Sequence, residues 1–275
     1  MRRRDVSSAY SNVVPAIPDW KLPYKEQFGR FLLALASVAG GIALWGLASL
    51  GTNPLFLPSP ALTFTSAIEL VQDGTWWDSI VASSFRILTG WGLGVVVGIP
   101  VGILMGHFRW VRQMLDPYTE FFRFVPPIAF VTLAVIWLGP DELSKIALIF
   151  YTTVFIVTIN TMAGVQSADE IRLRAARALG AGTLRTVMTV VVPSSVPFMV
   201  TGARLAMGNS FLTIVSAEIV SAQEGLGALI WTARNYGRTE WVFVGIITLG
   251  LLGYAFDRIV RYATRRLLKR YRVNV

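Results

Sequence analysis

The sequence predicts an all-α integral membrane protein with six transmembrane helices, and three observations carry that prediction. The chain is 54% hydrophobic and only 15% charged, whereas a soluble domain of this length carries about a quarter charged residues. Its apolar residues gather into six stretches, each long enough to cross a hydrocarbon core of roughly 30 Å. Lysine and arginine concentrate in alternate loops, which is a signature of sidedness in a membrane. The composition also excludes several function classes. There is no cysteine and a single histidine, His107, so disulfide frameworks, thiolate metal sites and histidine clusters are out of reach. The net charge of +9 lies at the termini and in alternate loops, so it reads as topology and not as a nucleic-acid surface.

Taken in order, residues 1–27 read as a polar, basic arm, in which Pro15, Pro18 and Pro23 disfavour a long helix. Trp20 and Tyr24 suit the headgroup level. The opening MRRR leads into polar, proline-containing sequence without an apolar core, so no cleavable signal peptide is expected. The first span is expected over Phe28–Leu50. The loop Gly51–Asp78 holds acidic residues but no lysine or arginine. Within it, Ser59-Pro60 opens an amphipathic helix that runs through Leu70, and Trp76 and Trp77 mark an interface. The second span, Ser79–Gly106, repeats glycine at 90, 94, 98, 102 and 106. This small-residue ridge lets another helix pack closely, and its 40° drift per step makes the ridge wind. Pro100 is expected to add a bend.

A short basic loop, His107–Arg112, precedes a third span over Met114–Gly139. That span contains Arg123 and the pair Pro126-Pro127, which removes backbone donors and bends or breaks the helix. The fourth span is expected over Lys145–Gly164 and the fifth over Ser195–Val220. The polar segment Ser221–Glu240 contains a re-entrant or surface helix at Leu226–Arg234. The membrane domain, residues 28–262, closes with a sixth span over Trp241–Tyr262, and residues 263–275 form a basic tail. The N-terminal arm through Arg30 holds six lysines and arginines, the 107–112 loop two, the 168–193 loop four and the tail from Arg258 seven. The opposite loops hold only Lys145, Arg234 and Arg238. Both termini are therefore expected in the cytoplasm.

The loop over residues 165–193 interrupts this apolar pattern with four arginines. On a helical wheel Ile171, Ala175, Ala178 and Leu179 form one narrow apolar stripe, flanked by Arg174 and Arg177 on one side and Arg172 on the other. Asp169 and Glu170 suit the N-terminal dipole. Gly180-Ala181-Gly182 supplies a stop, Thr183 is expected to cap a second short helix, and Pro193 to limit that helix. Such an element docks into a partner protein or lies on lipid headgroups, and the wheel alone leaves both open.

The residues of this loop resemble the cytoplasmic motif of ABC importer permeases, which reads Glu-Ala-Ala, three residues, Gly, nine residues, Ile, one residue, Leu-Pro. Here the matching positions are Arg174-Ala175-Ala176, Gly180, Val190 and Val192-Pro193, with Arg174 in place of the usual acidic residue. FLPSP (Phe56–Pro60), Ser83–Gly106, Arg123–Gly139, Gly202–Val220 and EGLGALI (Glu224–Ile230) extend the resemblance, which is greatest to the permeases of nitrate, sulfonate, taurine and bicarbonate importers. The resemblance implies a type I importer permease fold and a homodimer in the bacterial inner membrane. It also implies two cytoplasmic ATPase subunits, which bind the ATP and Mg, and an extracytoplasmic substrate-binding protein. This chain itself would bind no cofactor. Ile171, Arg172, Arg174, Ala175, Ala176, Arg177, Leu179 and Gly180 are then the expected coupling element, and the cargo a small oxyanion. Related permeases that carry uncharged or cationic vitamin precursors are the alternative.

Four ionisable residues, Arg86, Arg123, Arg204 and Glu218, fall inside or at the edges of the expected spans, where each is costly unless it faces protein or water. Arg86 and Glu218 lie near the same membrane face and are expected to pair. Arg123 and Arg204 enter from the opposite face. With Pro126, Pro127, Glu218 and Arg86 they are the candidates for a pathway or gate; for Arg123 and Arg204, hydrogen bonds to proline-freed carbonyls, or snorkelling, are the structural alternative. No nucleophile–base pair, metal-ligand cluster or phosphate-binding loop emerges, so the chain reads as a transport subunit and not as an enzyme. A self-sufficient channel or ion-driven transporter would show inverted repeats or a charged relay at the midplane, and neither stands out.

Overall fold

The computed structural model describes residues 24–221 and 223–267. Residues 1–23 of the expected arm and residues 268–275 of the expected tail lie outside the described residues. Every regular element among the described residues is helical. The described residues up to Thr52 and those from Asn53 onward form two separate units. The first contributes α1 (Tyr24–Leu50), which is apolar enough to cross a membrane from Leu32 to Leu50.

The second unit opens with α2 (Pro60–Gln72). As the sequence predicts, Ser59 caps it by accepting the Leu62 N–H at 3.2 Å, and Pro60 occupies the first turn, where no donor is lost. The second span is α3 (Thr75–His107), a 33-residue helix that absorbs Trp76, Trp77 and Pro100. Its glycine ridge packs on α6 (Glu142–Gln166). A methyl group added at Gly90, Gly94, Gly98, Gly102 or Gly106 would fall 2.5–2.9 Å from the Cβ of Ile149, Thr153, Val157, Thr161 or Val165 in turn. The partner row has the same four-residue spacing, so the two ridges wind together instead of parting after two turns. A period above 3.6 gives that winding a right-handed sense.

The third stretch corrects the expectation of one span beginning at Met114. The basic loop shrinks to Phe108, because α4 (Arg109–Phe122) begins immediately after it. Arg109, Arg112, Gln113, Asp116 and Glu120 recur at three- and four-residue steps and form one polar stripe, which makes α4 an amphipathic helix and not a lipid-spanning one. Pro126 and Pro127 then break the chain, as expected, and α5 (Pro127–Leu138) leaves at 101° to α4. Twelve residues reach about 18 Å, short of a full crossing. Arg123 therefore lies at the corner between α4 and α5 and not inside one continuous span. Among the described residues, five helices are long and apolar enough to span a membrane, and the bent pair makes a sixth candidate.

After α6 come α7 (Glu170–Ala178), the single turn α8 (Thr183–Thr186), a π-helical turn at Val187–Val191 and α9 (Val192–Ser221). Two expectations are corrected here. Gly182, not Thr183, occupies the cap position. Pro193 does not end the helix, because the wider π turn precedes it and takes up the missing backbone bond, so an apolar helical run extends over Thr183–Val220. Finally α10 (Leu226–Asn235) and α11 (Thr239–Leu267) follow. Leu226, Gly227, Ala228, Leu229 and Ala233 of α10 are buried.

The main core joins Ile87 of α3, Ile149 of α6 and Met207, Phe211 and Ile214 of α9, with Leu249, Leu252 and Phe256 of α11 packed against it. Val131 and Ala134 of α5 meet Leu148 and Ala217 in a second cluster. Leu70, Leu229 and Val244 tie α2, α10 and α11 together in a third.

Candidate functional site

α7 is well formed and almost unsupported. Asp169 caps its start by accepting the Ile171 N–H at 2.9 Å. At its end, the Gly180 N–H bonds the Arg177 carbonyl at 2.9 Å and the Ala181 N–H bonds the Ala176 carbonyl at 3.0 Å, the paired bonds of a Schellman stop. Gly180 has φ +77°, which a β-carbon would strain. No residue of α7 is buried. Leu173 and Ala176 face the rest of the chain and are half-buried, whereas the stripe of Ile171, Ala175, Ala178 and Leu179 is exposed, Leu179 to 88%. Arg174 pairs with Glu170 at 2.5 Å, and Arg172 approaches Asp169 at 3.8 Å. Beneath α7 lies a hollow of about 540 Å³, lined by His107, Gln166, Leu173, Arg177 and Thr186 among others.

At the other end of α6, about 36 Å away along its axis, the expected Arg86–Glu218 pair is present at 2.6 Å. It belongs to a larger network. Arg86 Nε and Nη2 donate to the two oxygens of Glu142 at 2.6 and 2.7 Å, and Nη1 also donates to the Glu224 carbonyl at 2.7 Å. Glu218, fully buried, further accepts from Ser83 Oγ at 2.8 Å and from the Gly227 N–H at 2.8 Å. Ser83 in turn accepts the Leu226 N–H at 2.9 Å. The N-terminus of α10 is thus capped by a carboxylate from α9, which complements its dipole. Gly225 makes this fit possible: its φ is +127°, and a β-carbon there would lie 2.5 Å from the Glu218 carboxylate. Glu142, Ser83 and Gly227 were not singled out from the sequence.

Arg204 and Arg123 do not share a site. Arg204 donates to Asp257 of α11 through Nε at 3.1 Å and Nη2 at 2.9 Å, and Asp257 also accepts from Arg261 at 3.2 Å. Arg123 pairs with Glu120 at 2.7 Å and lies over the Phe124 ring at 4.6 Å. It lines a cavity of about 610 Å³ at the α4–α5 break, together with Pro126, Pro127 and residues of α6 and α9. The carbonyl that Pro126 leaves without its helical donor belongs to Phe122, and Tyr151 supplies the missing proton at 2.5 Å. Of the alternatives left open, an arginine bonding this freed carbonyl does not hold at Phe122, where a tyrosine of α6 does so.

Residues 98–269 match the family described as binding-protein-dependent transport system inner membrane component. The chain belongs to that family. A probable ABC transporter permease protein of Brucella melitensis is 40% identical over 235 residues, covering 86% of this chain and 95% of the relative. The taurine transport system permease protein TauC of Escherichia coli K12 is 35% identical, covering 90% and 92%. The bicarbonate transport system permease protein CmpB of Synechococcus elongatus is 32% identical, also covering 90% and 92%. Among solved structures, an inward-facing MetNI methionine ABC transporter aligns with a TM-score of 0.56 at 19% identity, covering 69% of this chain and 98% of that chain; this likeness concerns the fold.

This binding-protein-dependent permease therefore has the type I importer fold and serves as a transport subunit of the inner membrane, while ATP hydrolysis belongs to a separate subunit. Membership implies an ATPase and a substrate-binding protein as partners. Of the charges singled out from the sequence, Arg86 and Glu218 meet at one end of the permease. Arg123, Pro126 and Pro127 share the cavity, and Arg204 belongs to neither group. Asp257 offered a signal that was passed over, being a carboxylate in an apolar helix with a basic residue four positions on.

Proposed function

We propose that two copies of this permease form the pathway of an importer for a small oxyanion, with both termini cytoplasmic and the chain organised as an arm (residues 1–27), a membrane domain (28–262) and a basic tail (263–275). Ile171, Arg172, Arg174, Ala175, Ala176, Arg177, Leu179 and Gly180 couple it to the ATPase. The observation that carries this reading is α7 itself. A nine-residue helix fixed by a cap at each end, with no buried residue of its own and an exposed apolar stripe between arginines, is built to be covered by another protein. The hollow beneath it gives it room to shift. Closure of the ATPases on ATP would move α7, and through α6 and the π turn would move α9 and the cavity walls. Arg174 stands where importer permeases carry an acidic residue, but its pairing with Glu170 leaves the net charge of that turn near neutral.

The cargo class is supported by relatives named for taurine, bicarbonate and aliphatic sulfonates. The cysteine-free sequence allows a direct test of docking: Leu179→Cys in the complete transporter, labelled with a benzophenone maleimide and irradiated so that the ketone inserts into a neighbouring C–H bond, is expected to cross-link to the ATPase subunit. Modification without any cross-link to the ATPase would contradict the assignment. For the cargo, the companion binding protein is expected to gain thermal stability from one oxyanion class; stabilisation only by a neutral or cationic compound would exclude it.

A further inference from the structure

The cavity at the α4–α5 break contains a polar constellation that neither the motif nor the relatives point to. Along α6, Thr152, Ile156 and Asn160 face it over about 12 Å, and Asn209 reaches it from α9. The volume of about 610 Å³ falls within the range of small-molecule sites. No carboxylate lines it among the described residues, and Arg123 is its one cation.

The polar groups on its wall are not equally free. Tyr151 spends its hydroxyl on the Phe122 and Val125 carbonyls. Thr152 donates to the Ile149 carbonyl at 3.0 Å. Asn160 commits one amide proton to the Ile156 carbonyl at 2.8 Å, which leaves its second proton available. Asn209 is half-buried, and its side-chain amide has no hydrogen-bond partner among the described residues. α9 packs closely on α6 at Asn160, where a β-carbon on Gly202 would lie 2.7 Å from Asn160 Cβ; Asn209 follows about 10 Å further along α9, so the two asparagines line successive levels of the cavity.

We infer that Asn160 and Asn209, with Arg123 at the corner, form a transit site for the oxyanion headgroup of the cargo; this rests on the oxyanion-importer reading above. Neutral amide donors suit transit because conduction needs a site that attracts the ion yet releases it. A free arginine would hold it. Arg123, which meets Glu120 through Nη2 alone, keeps donors that bias the site towards anions without trapping one, and Arg204, which does not line the cavity, takes no part.

The permease has no native cysteine, so each label is read on the permease chain after the subunits are separated. Asn209→Cys and, as a second variant, Asn160→Cys are placed in the complete transporter in permeabilised membranes. Each is labelled with methanethiosulfonate ethylsulfonate, an anionic sulfonate, and with the cationic trimethylammonium reagent. Phe56→Cys, 80% exposed in a loop free of lysine and arginine, sets the reference ratio. The expected result is an anion-to-cation rate ratio at 209 and 160 about tenfold above the reference, the lower end of what focused fields in clefts achieve. Ratios equal to the reference, or no labelling by either reagent at both positions, would overturn the proposal. Labelling needs neither a turning-over ATPase nor a known cargo. Its failure is therefore distinct from failure of the importer reading, which would show as a wild-type complex whose ATPase does not respond to its loaded binding protein.

Discussion

Replacing Glu218 by glutamine removes one charge and almost no volume from the centre of the Arg86 network. Glu218 is fully buried, and both its oxygens are occupied: Oε1 by Arg86 and Ser83, Oε2 by the Gly227 N–H and again by Ser83. Whichever way the new amide turns, its NH2 group faces a donor, either Arg86 Nη1 or the Gly227 N–H. The substitution thus loses a charge-assisted bond and strands a buried donor. It also weakens the hold on Arg86, which keeps Glu142 and the Glu224 carbonyl. Breaking a buried pair from one side costs about 3 kcal/mol or more, and Arg86 is only 4% exposed, so solvent offers little relief. At roughly 2–4 °C per kcal/mol for chains of this size, the purified permease is expected to melt about 6–12 °C lower. Glu142→Gln is the control. Glu142 is 48% exposed, so its loss is screened and should cost about 1 kcal/mol or less. Thermal unfolding of both variants in the same detergent tests the argument. Equal losses, or no loss for Glu218→Gln, would refute the claim that this carboxylate holds the N-terminus of α10.

Other expectations follow from the same geometry. Gly94→Ala puts a methyl group 2.5 Å from Thr153 Cβ, whereas Gly92→Ala meets nothing within 4 Å; the first should lower thermal stability by about 1–3 kcal/mol and the second should not lower it. Tyr151→Phe removes the hydroxyl shared by the Phe122 and Val125 carbonyls and leaves Phe122 with the Val125 N–H alone; it should cost about 1 kcal/mol, read as a lower melting temperature. Asp257→Asn should destabilise through the loss of both arginine partners, and Arg204→Gln combined with it should cost less than the two single losses together, as a double-mutant cycle measures.

Much of this architecture was legible because it obeys local rules. The Ser59 cap, the glycine ridge, the Pro126-Pro127 break and the Gly180 stop each follow from a few neighbouring residues. The third span misled because Trp110, Met114, Tyr118 and Phe121 give α4 an apolar face, and a sliding sum over α4 and α5 then resembles one crossing. The charged stripe from Arg109 to Glu120 was the opposing signal, visible only when the period and not the average is read. The run through Pro193 was hidden because a π turn has no sequence signature as plain as proline's. Partners distant in sequence were the least readable. Arg204 and Asp257 lie on different helices, Glu142 looks like a loop residue at a helix start, and Asn160 and Asn209 are single polar residues in apolar helices. Only packing brings them to one wall.

The central claim, that α7 transmits the ATPase cycle to the membrane helices, is tested most directly at Gly180. Its φ of +77° with nothing within 4 Å of an added β-carbon means that the β-carbon of Gly180→Val meets open space, and the substitution acts through backbone strain of about 1–2 kcal/mol or more. The variant is reconstituted with its ATPase and binding protein, and ATP hydrolysis stimulated by loaded binding protein is measured beside membrane insertion. The account predicts wild-type insertion with stimulated hydrolysis and uptake lost together. Unchanged stimulated hydrolysis in a fully inserted variant would contradict it.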